Sequence, residues 1–299
     1  MRYYSPGKLL ITAEYAVLDG AKALAIPTKL GQSLEVSAHN PRTIRWKALK
    51  ESGELWFEAH FIWEEGKWIA QTDGLQSETL QQIFQTVRQL NPESLDPKTG
   101  YDIITQLEFP TDWGLGSSST LINNVANWCN VSAFKLQDAV FGGSGYDIAS
   151  AKSQGPLFYT KTEQGPVVEP VQLQWPFTEQ LYFLHLKEKQ NSRASISGYR
   201  QRSIQKDQLK ALSKMTDQFA GCTDLDSFVE LMNHHEELIA QLTGLVPVQK
   251  RLFADFHGQI KSLGGWGGDL VLVASSTDPT AYFMEKGYPT VLSYAQLIP

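Results

Sequence analysis

The stretch Pro110-Thr-Asp-Trp-Gly-Leu-Gly-Ser-Ser-Ser-Thr120 runs a glycine loop into small hydroxyl residues, ahead of a segment able to form a helix. Gly114 and Gly116 let the backbone turn tightly and approach a ligand without a Cβ in the way. The amides that follow fall at a helix N-terminus, where unpaired N–H groups and the helix dipole favour an anion. Ser117, Ser118 and Ser119 add hydroxyls able to donate to phosphate or to reach a magnesium ion. The spacing is not G-x-x-x-x-G-K-[S/T], and no lysine follows the second glycine. From these residues alone two readings stand: a capped turn, or a cradle for a polyphosphate of a different kind from the P-loop.

Three further segments bear on that choice. Ser5-Pro-Gly-Lys-Leu-Leu-Ile-Thr-Ala-Glu-Tyr-Ala-Val-Leu-Asp-Gly20 reads as a short apolar strand, Leu9 to Thr12, flanked by Lys8 and Glu14 and followed by an Asp19-Gly20 turn. Gly142-Gly-Ser-Gly-Tyr-Asp-Ile-Ala-Ser150 places Asp147 where a flexible loop meets a small-residue run, the position of a helix cap or of an exposed carboxylate. Lys261-Ser-Leu-Gly-Gly-Trp-Gly-Gly-Asp-Leu-Val-Leu-Val-Ala274 is a glycine-rich turn before a buried-strand pattern.

In this order the segments resemble the motifs of the GHMP kinases, the galactose, homoserine, mevalonate and phosphomevalonate kinases. The first is similar to P-G-K-(apolar)-x-x-G-E-(H/Y)-A-V-x-x-G, with Ala13 where the family has Gly. The second, Pro-x3-Gly-Leu-Gly-Ser-Ser, resembles the nucleotide loop, and the last resembles the third motif with Trp266 inserted among its glycines. The resemblance implies an α+β chain with the two-domain GHMP kinase fold, the N-terminal domain ribosomal protein S5 domain 2-like and the C-terminal one a ferredoxin-like α/β sandwich. The boundary falls near residue 155, giving 1–155 with the ATP-binding loop and 156–299 as the second domain.

The same resemblance implies ATP and Mg2+ as cofactors. ATP would lie on Gly114, Leu115, Gly116, Ser117, Ser118 and Ser119. Lys8, Glu14 and Tyr15 would line the acceptor pocket, and Gly264, Gly265, Gly267 and Gly268 would close over phosphates and substrate. Asp147 matches the aspartate that takes the acceptor's proton, and Lys8 would keep it ionised. Phosphoryl transfer needs chiefly positioning and charge neutralisation, which such a set supplies. Ser192 and Arg193, in the Lys187-Glu-Lys-Gln-Asn-Ser-Arg193 segment, are candidates to hold an anionic acceptor or simply belong to a solvated loop.

Departures refine the expectation. Where mevalonate kinases place a magnesium-binding Glu, this chain has Leu136-Gln-Asp-Ala, so the ion would rest on Ser118, phosphates and water, with Asp138 the nearest carboxylate. Tyr15 in place of His, Asp269 at the end of the glycine turn, and Asp147-Ile-Ala-Ser lean toward the phosphomevalonate kinases. Mevalonate kinase is the alternative. A sugar or homoserine kinase, a decarboxylase of a diphosphorylated mevalonate and a non-catalytic ligand sensor remain as further readings.

Composition agrees with a small-molecule enzyme. The 299 residues, 42% of them hydrophobic, suffice for one large core or two moderate ones, and the net charge of −6 disfavours nucleic acid as a partner. Only Cys129 and Cys222 occur, too few for a disulfide framework, and no signal-like or membrane-length apolar run is visible. The expectation is a cytoplasmic protein whose partners are a small-molecule acceptor and a second copy in a homodimer, with neither nucleic acid nor membrane. His234 and His235 are neighbours on an expected helix, so they cannot form an i, i+4 metal pair. Periodicity predicts strands through residues 1–72 and at 101–109, 157–161 and 181–186. Helices are expected at 77–90, 121–128, 204–219, 224–242 and 248–262.

Overall fold

Alternating apolar residues in the first seventy positions become strands, as their period of two requires. The computed structural model describes residues 1–39, 42–188, 199–200, 204–266 and 269–299. The chain divides into two compact units that interleave in sequence: residues 1–7, 30–111 and 115–152 form one, and residues 8–29, 112–114 and 153–299 the other.

In the first unit the sheet runs β5 (Lys67–Ala70), β4 (Leu55–Glu64), β3 (Thr43–Leu49), β6 (Gly100–Leu107) and the later part of β2 (Ala23–His39). The β3–β6 pair is parallel and the other pairs are antiparallel. Glu65-Gly66 forms the two-residue turn between β4 and β5, with both residues at positive φ as a tight hairpin demands. One sheet face, carrying Ile44, Trp46, Phe61 and Ile103, is covered by α1 (Leu75–Leu90), α2 (Ser117–Cys129) and α3 (Ala133–Val140). α1 supplies Leu80, Ile83, Phe84 and Val87 of the stripe its sequence predicts, while Leu90, the fifth member, is exposed at the helix end. α2 ends at the buried Cys129, whose carbonyl accepts hydrogen bonds from Asn91 and Ser94. α4 (Tyr146–Lys152) packs beside α2, and Asn123 donates to the Ala151 carbonyl.

The second unit holds a four-stranded antiparallel sheet in the order Gln259–Ser262, Leu270–Ala274, Leu181–His185, Val291–Ser293. The long helices Lys206–Ala220 and Leu225–Thr243 pack on each other, and the second of them packs on the strand Gln259–Ser262. A hairpin of Leu157–Thr162 and Gly165–Pro170 pairs with Ala23 to Ala25 of β2.

One sequence expectation fails here. The helix anticipated over 248–262 stops at Leu252, and Gln259–Ser262 is a strand. Gly258 lies so close to the Ala274 carbonyl that a Cβ would stand 2.5 Å from it, which suits strand pairing and not a helix. The Gln249 side chain fastens the change of direction, donating to the Gly258 carbonyl and accepting from the Ile260 amide. Among the described residues no helix is long and apolar enough to cross a membrane.

Candidate active site

In the first unit the glycine loop delivers α2 with its amino end bare. Gly116, the residue before the helix, has φ +85° and ψ +48°, and no side chain caps that end. Thr120 and Ser119 turn their hydroxyls back onto the Gly116 carbonyl, whereas Ser118 is exposed and Ser117 is half-buried. First-turn amides without a capping side chain, with exposed hydroxyl beside them, are the donor set that an anion takes at a helix N-terminus. Leu115 is fully buried and anchors the loop.

Asp147 stands in the first turn of α4, half-buried, with Oδ1 accepting from the Ile148 amide at 3.0 Å. The approach to it bends through Gly142, Gly143 and Gly145, all at positive φ. Gln137 is buried on α3, its amide nitrogen donating to the Gly142 carbonyl and its Oε1 without a hydrogen-bond partner among the described residues. Asp138 points the other way and is exposed. Ser118 and Gln137 offer neutral oxygens, the ligand type a hard cation accepts, and the described residues contain no cluster of three metal-ligating side chains.

In the second unit Lys8 donates to the Gly114 carbonyl at 2.8 Å. Asp269 lies against Gly114 so closely that a Cβ there would come within 2.3 Å of Oδ2, and Gly114 has φ +68°. His185 supports the same corner, its Nε2 3.2 Å from the Asp112 carbonyl and its ring 6.2 Å from that of Trp113.

Glu14 and Tyr15 are placed differently from Lys8. Glu14 is fully buried and accepts from the equally buried Lys261, which also donates to the Ser262 carbonyl. His235 Nε2 accepts from the Ala13 amide at 3.0 Å and lies 3.3 Å from Glu14 Oε2. That lone pair being occupied, a neutral His235 carries its proton on Nδ1. Glu236 completes the cluster, its two oxygens accepting from the Ser262 amide and hydroxyl at 3.0 Å each. Burial pushes Glu14 up to about 7 against the pull of Lys261, and does the same to Glu236. Burial, with Lys261 beside it, holds His235 well below the usual imidazole range. Tyr15 donates to the Gly265 carbonyl at 2.6 Å and stacks on Tyr199.

The structure therefore gathers Lys8, Gly114 and Asp269 at one point and Glu14, Tyr15, Lys261 and Gly265 at another. Gly264 lies in the same turn, at φ +54°. Ser192, Arg193, Gly267 and Gly268 lie outside the described residues. Lys261 and His235 were noted in the sequence without a part in the site, and Glu236 was not singled out at all. The helical stripe Phe228, Met232, His235, Glu236, Ile239, Leu242 carried the signal, since it puts two polar residues on the buried face of the helix Leu225–Thr243.

Comparison with solved structures identifies the architecture. The Methanococcus jannaschii mevalonate kinase superposes with a TM-score of 0.68 at 17% identity, covering 97% of this chain and 96% of that one. Streptococcus pneumoniae phosphomevalonate kinase, in complex with phosphomevalonate and AMPPNP, gives 0.66 at 17% over 96% and 95%. The chain has the GHMP kinase fold. Lactococcus lactis galactokinase, complexed with galactose, matches at 0.67 and 13% over 98% and 92%, so the fold alone does not choose an acceptor. No protein-family model and no curated protein matches the sequence.

Proposed function

We propose that the chain is an ATP-dependent small-molecule kinase of the phosphomevalonate kinase type, moving the γ-phosphoryl group to a mevalonate derivative. The observation that supports this most is the uncapped amino end of Ser117–Cys129 with Ser118 exposed beside it, on a fold shared with kinases. ATP supplies the phosphoryl group. The amides of Ser117 to Ser119 would hold its phosphates, and Lys8 with the helix dipole would offset their charge. Magnesium would be held by the phosphates, Ser118 and water, with Asp138 as a further carboxylate candidate, and would neutralise charge on the phosphates. Asp147 would accept the acceptor's proton, from a hydroxyl or a protonated phosphate oxygen. Ser192 and Arg193 would grip an anionic acceptor.

The likeness to mevalonate kinase is equally good and supports mevalonate as the second acceptor. A coupled ADP-release assay with Mg-ATP and a panel of mevalonate, phosphomevalonate, diphosphomevalonate, homoserine and hexoses separates these readings. Turnover on phosphomevalonate alone supports the first, and turnover on mevalonate alone supports the second. ATP binding without turnover on any acceptor points to a ligand sensor.

A further inference from the structure

Three consecutive residues of the first motif each hold a different part of the second unit. The Ala13 amide bonds His235, Glu14 bonds Lys261, and the Tyr15 hydroxyl bonds the Gly265 carbonyl. Ala13 and Tyr15 both have left-handed backbone, φ +62° and +61°, a conformation non-glycine residues keep only where their surroundings impose it. The Tyr15 ring is fixed as well, 5.5 Å from Tyr199 at an interplanar angle of 27°. Tyr199 in turn donates to Asp19 Oδ2 at 2.7 Å.

The far side of this contact is one peptide unit. Its carbonyl, on Gly265, accepts from Tyr15. Its N–H, on Trp266, donates to the Leu263 carbonyl at 3.1 Å. A flip of that plane would break both bonds. Trp266 itself has φ +61°, and its side chain is buried, so the orientation of the plane and the seating of the indole are one event.

We infer that Tyr15 is a positioning residue whose hydroxyl locks the Gly265–Trp266 peptide plane, and with it the seat of Trp266 at the start of the glycine turn. Its effect on turnover rests on the kinase reading above; its effect on Trp266 does not. The residue acts on the loop backbone and requires no contact with the acceptor.

Tyr15→Phe removes the hydroxyl and keeps the ring stack, so a folded protein is expected. The signal of Trp266 is isolated by subtracting the matching Trp266→Phe protein. Acrylamide quenching of that signal should rise about fivefold in Tyr15→Phe, the scale of one lost hydrogen bond. On whichever acceptor the wild type uses, KM should rise by less than the quenching does, because the seated state still carries binding, with kcat within about twofold. Unchanged Trp266 quenching overturns the lock, whatever happens to turnover. A wild type that phosphorylates nothing overturns the kinase reading and leaves the quenching result to decide the lock. Should Tyr15→Phe fail to fold, amide exchange in the wild type decides: slow exchange at Trp266 N–H supports the lock, and open-loop exchange overturns it.

Discussion

The bare helix end at Ser117–Ser119 and the buried cluster around Glu14 treat polar groups in opposite ways. At the helix end the backbone donors have no side-chain cap, and Ser118 faces solvent. Around Glu14, two carboxylates, one ammonium and one imidazole are withdrawn from water and bound to one another or to backbone. The first arrangement favours a ligand because satisfying those donors is still to be done. The second favours rigidity, because any change leaves a charge stranded in a medium that solvates it poorly. Residues of one sequence motif can thus serve different ends: Lys8 reaches the glycine loop at Gly114, while Glu14 turns inward.

The sharpest break would come at Asp147. Asp147→Asn should lower kcat by about two to four orders of magnitude, with ATP affinity kept, as measured by ADP release and by calorimetric nucleotide titration. The corresponding break in the other region is Lys261→Met, which strands Glu14. Urea unfolding should register a loss of about 3–5 kcal/mol. An Asp147→Asn protein with near-normal kcat would remove the catalytic half of the contrast, and a Lys261→Met protein of normal stability would remove the structural half.

Two smaller effects sharpen it. Gly114→Ala places a methyl group against Asp269 and strains a φ of +68°, so a loss of about 1–3 kcal/mol is expected. Gly66→Ala, with φ +80° and open space around it, should cost only about 1 kcal/mol by the same unfolding assay. The most gradual effect is on pH. Glu14 and Glu236 titrate near 7 when folded and near 4.5 otherwise, so their contribution to stability is full below 4.5 and is lost as pH rises through about 7. His235 has the opposite sign: its contribution is complete above 6.5 and is lost as pH falls. Two carboxylates outweigh one imidazole, so stability should decline by roughly 2 kcal/mol from pH 5.5 to 7.5. Glu236→Gln should flatten that slope in melts at several pH values.

Local chemistry made much of this legible in the sequence. The α1 face from Leu80 to Val87 is set by neighbours a few residues away and stands where its pattern put it, whereas α2 follows the glycine loop but begins at Ser117, ahead of the expected start at 121. The segment 248–262 misled because Val248, Leu252, Phe253 and Phe256 have helical spacing, while the backbone contact at Gly258 depends on Ala274, distant in sequence. The part Lys261 plays was invisible for the same reason. A lysine near the end of the helix expected over 248–262 reads as solvent-facing until Glu14, almost 250 positions earlier, is brought beside it. Tyr15 and Glu14 were expected to line an acceptor pocket; where they stand depended on partners that a one-dimensional reading does not supply.

The chain's two cysteines have a practical consequence. Cys129 closes α2 in the first unit, where burial pushes its thiol up to about 12. Cys222 lies in the second unit and is also raised by burial. An enclosed, protonated thiol is a poor nucleophile. Alkylation of either one therefore counts the moments when its own unit comes open. One reagent with mass-spectrometric readout would time the breathing of both halves separately in a single tube. A nucleotide that settles on α2 should silence Cys129 first.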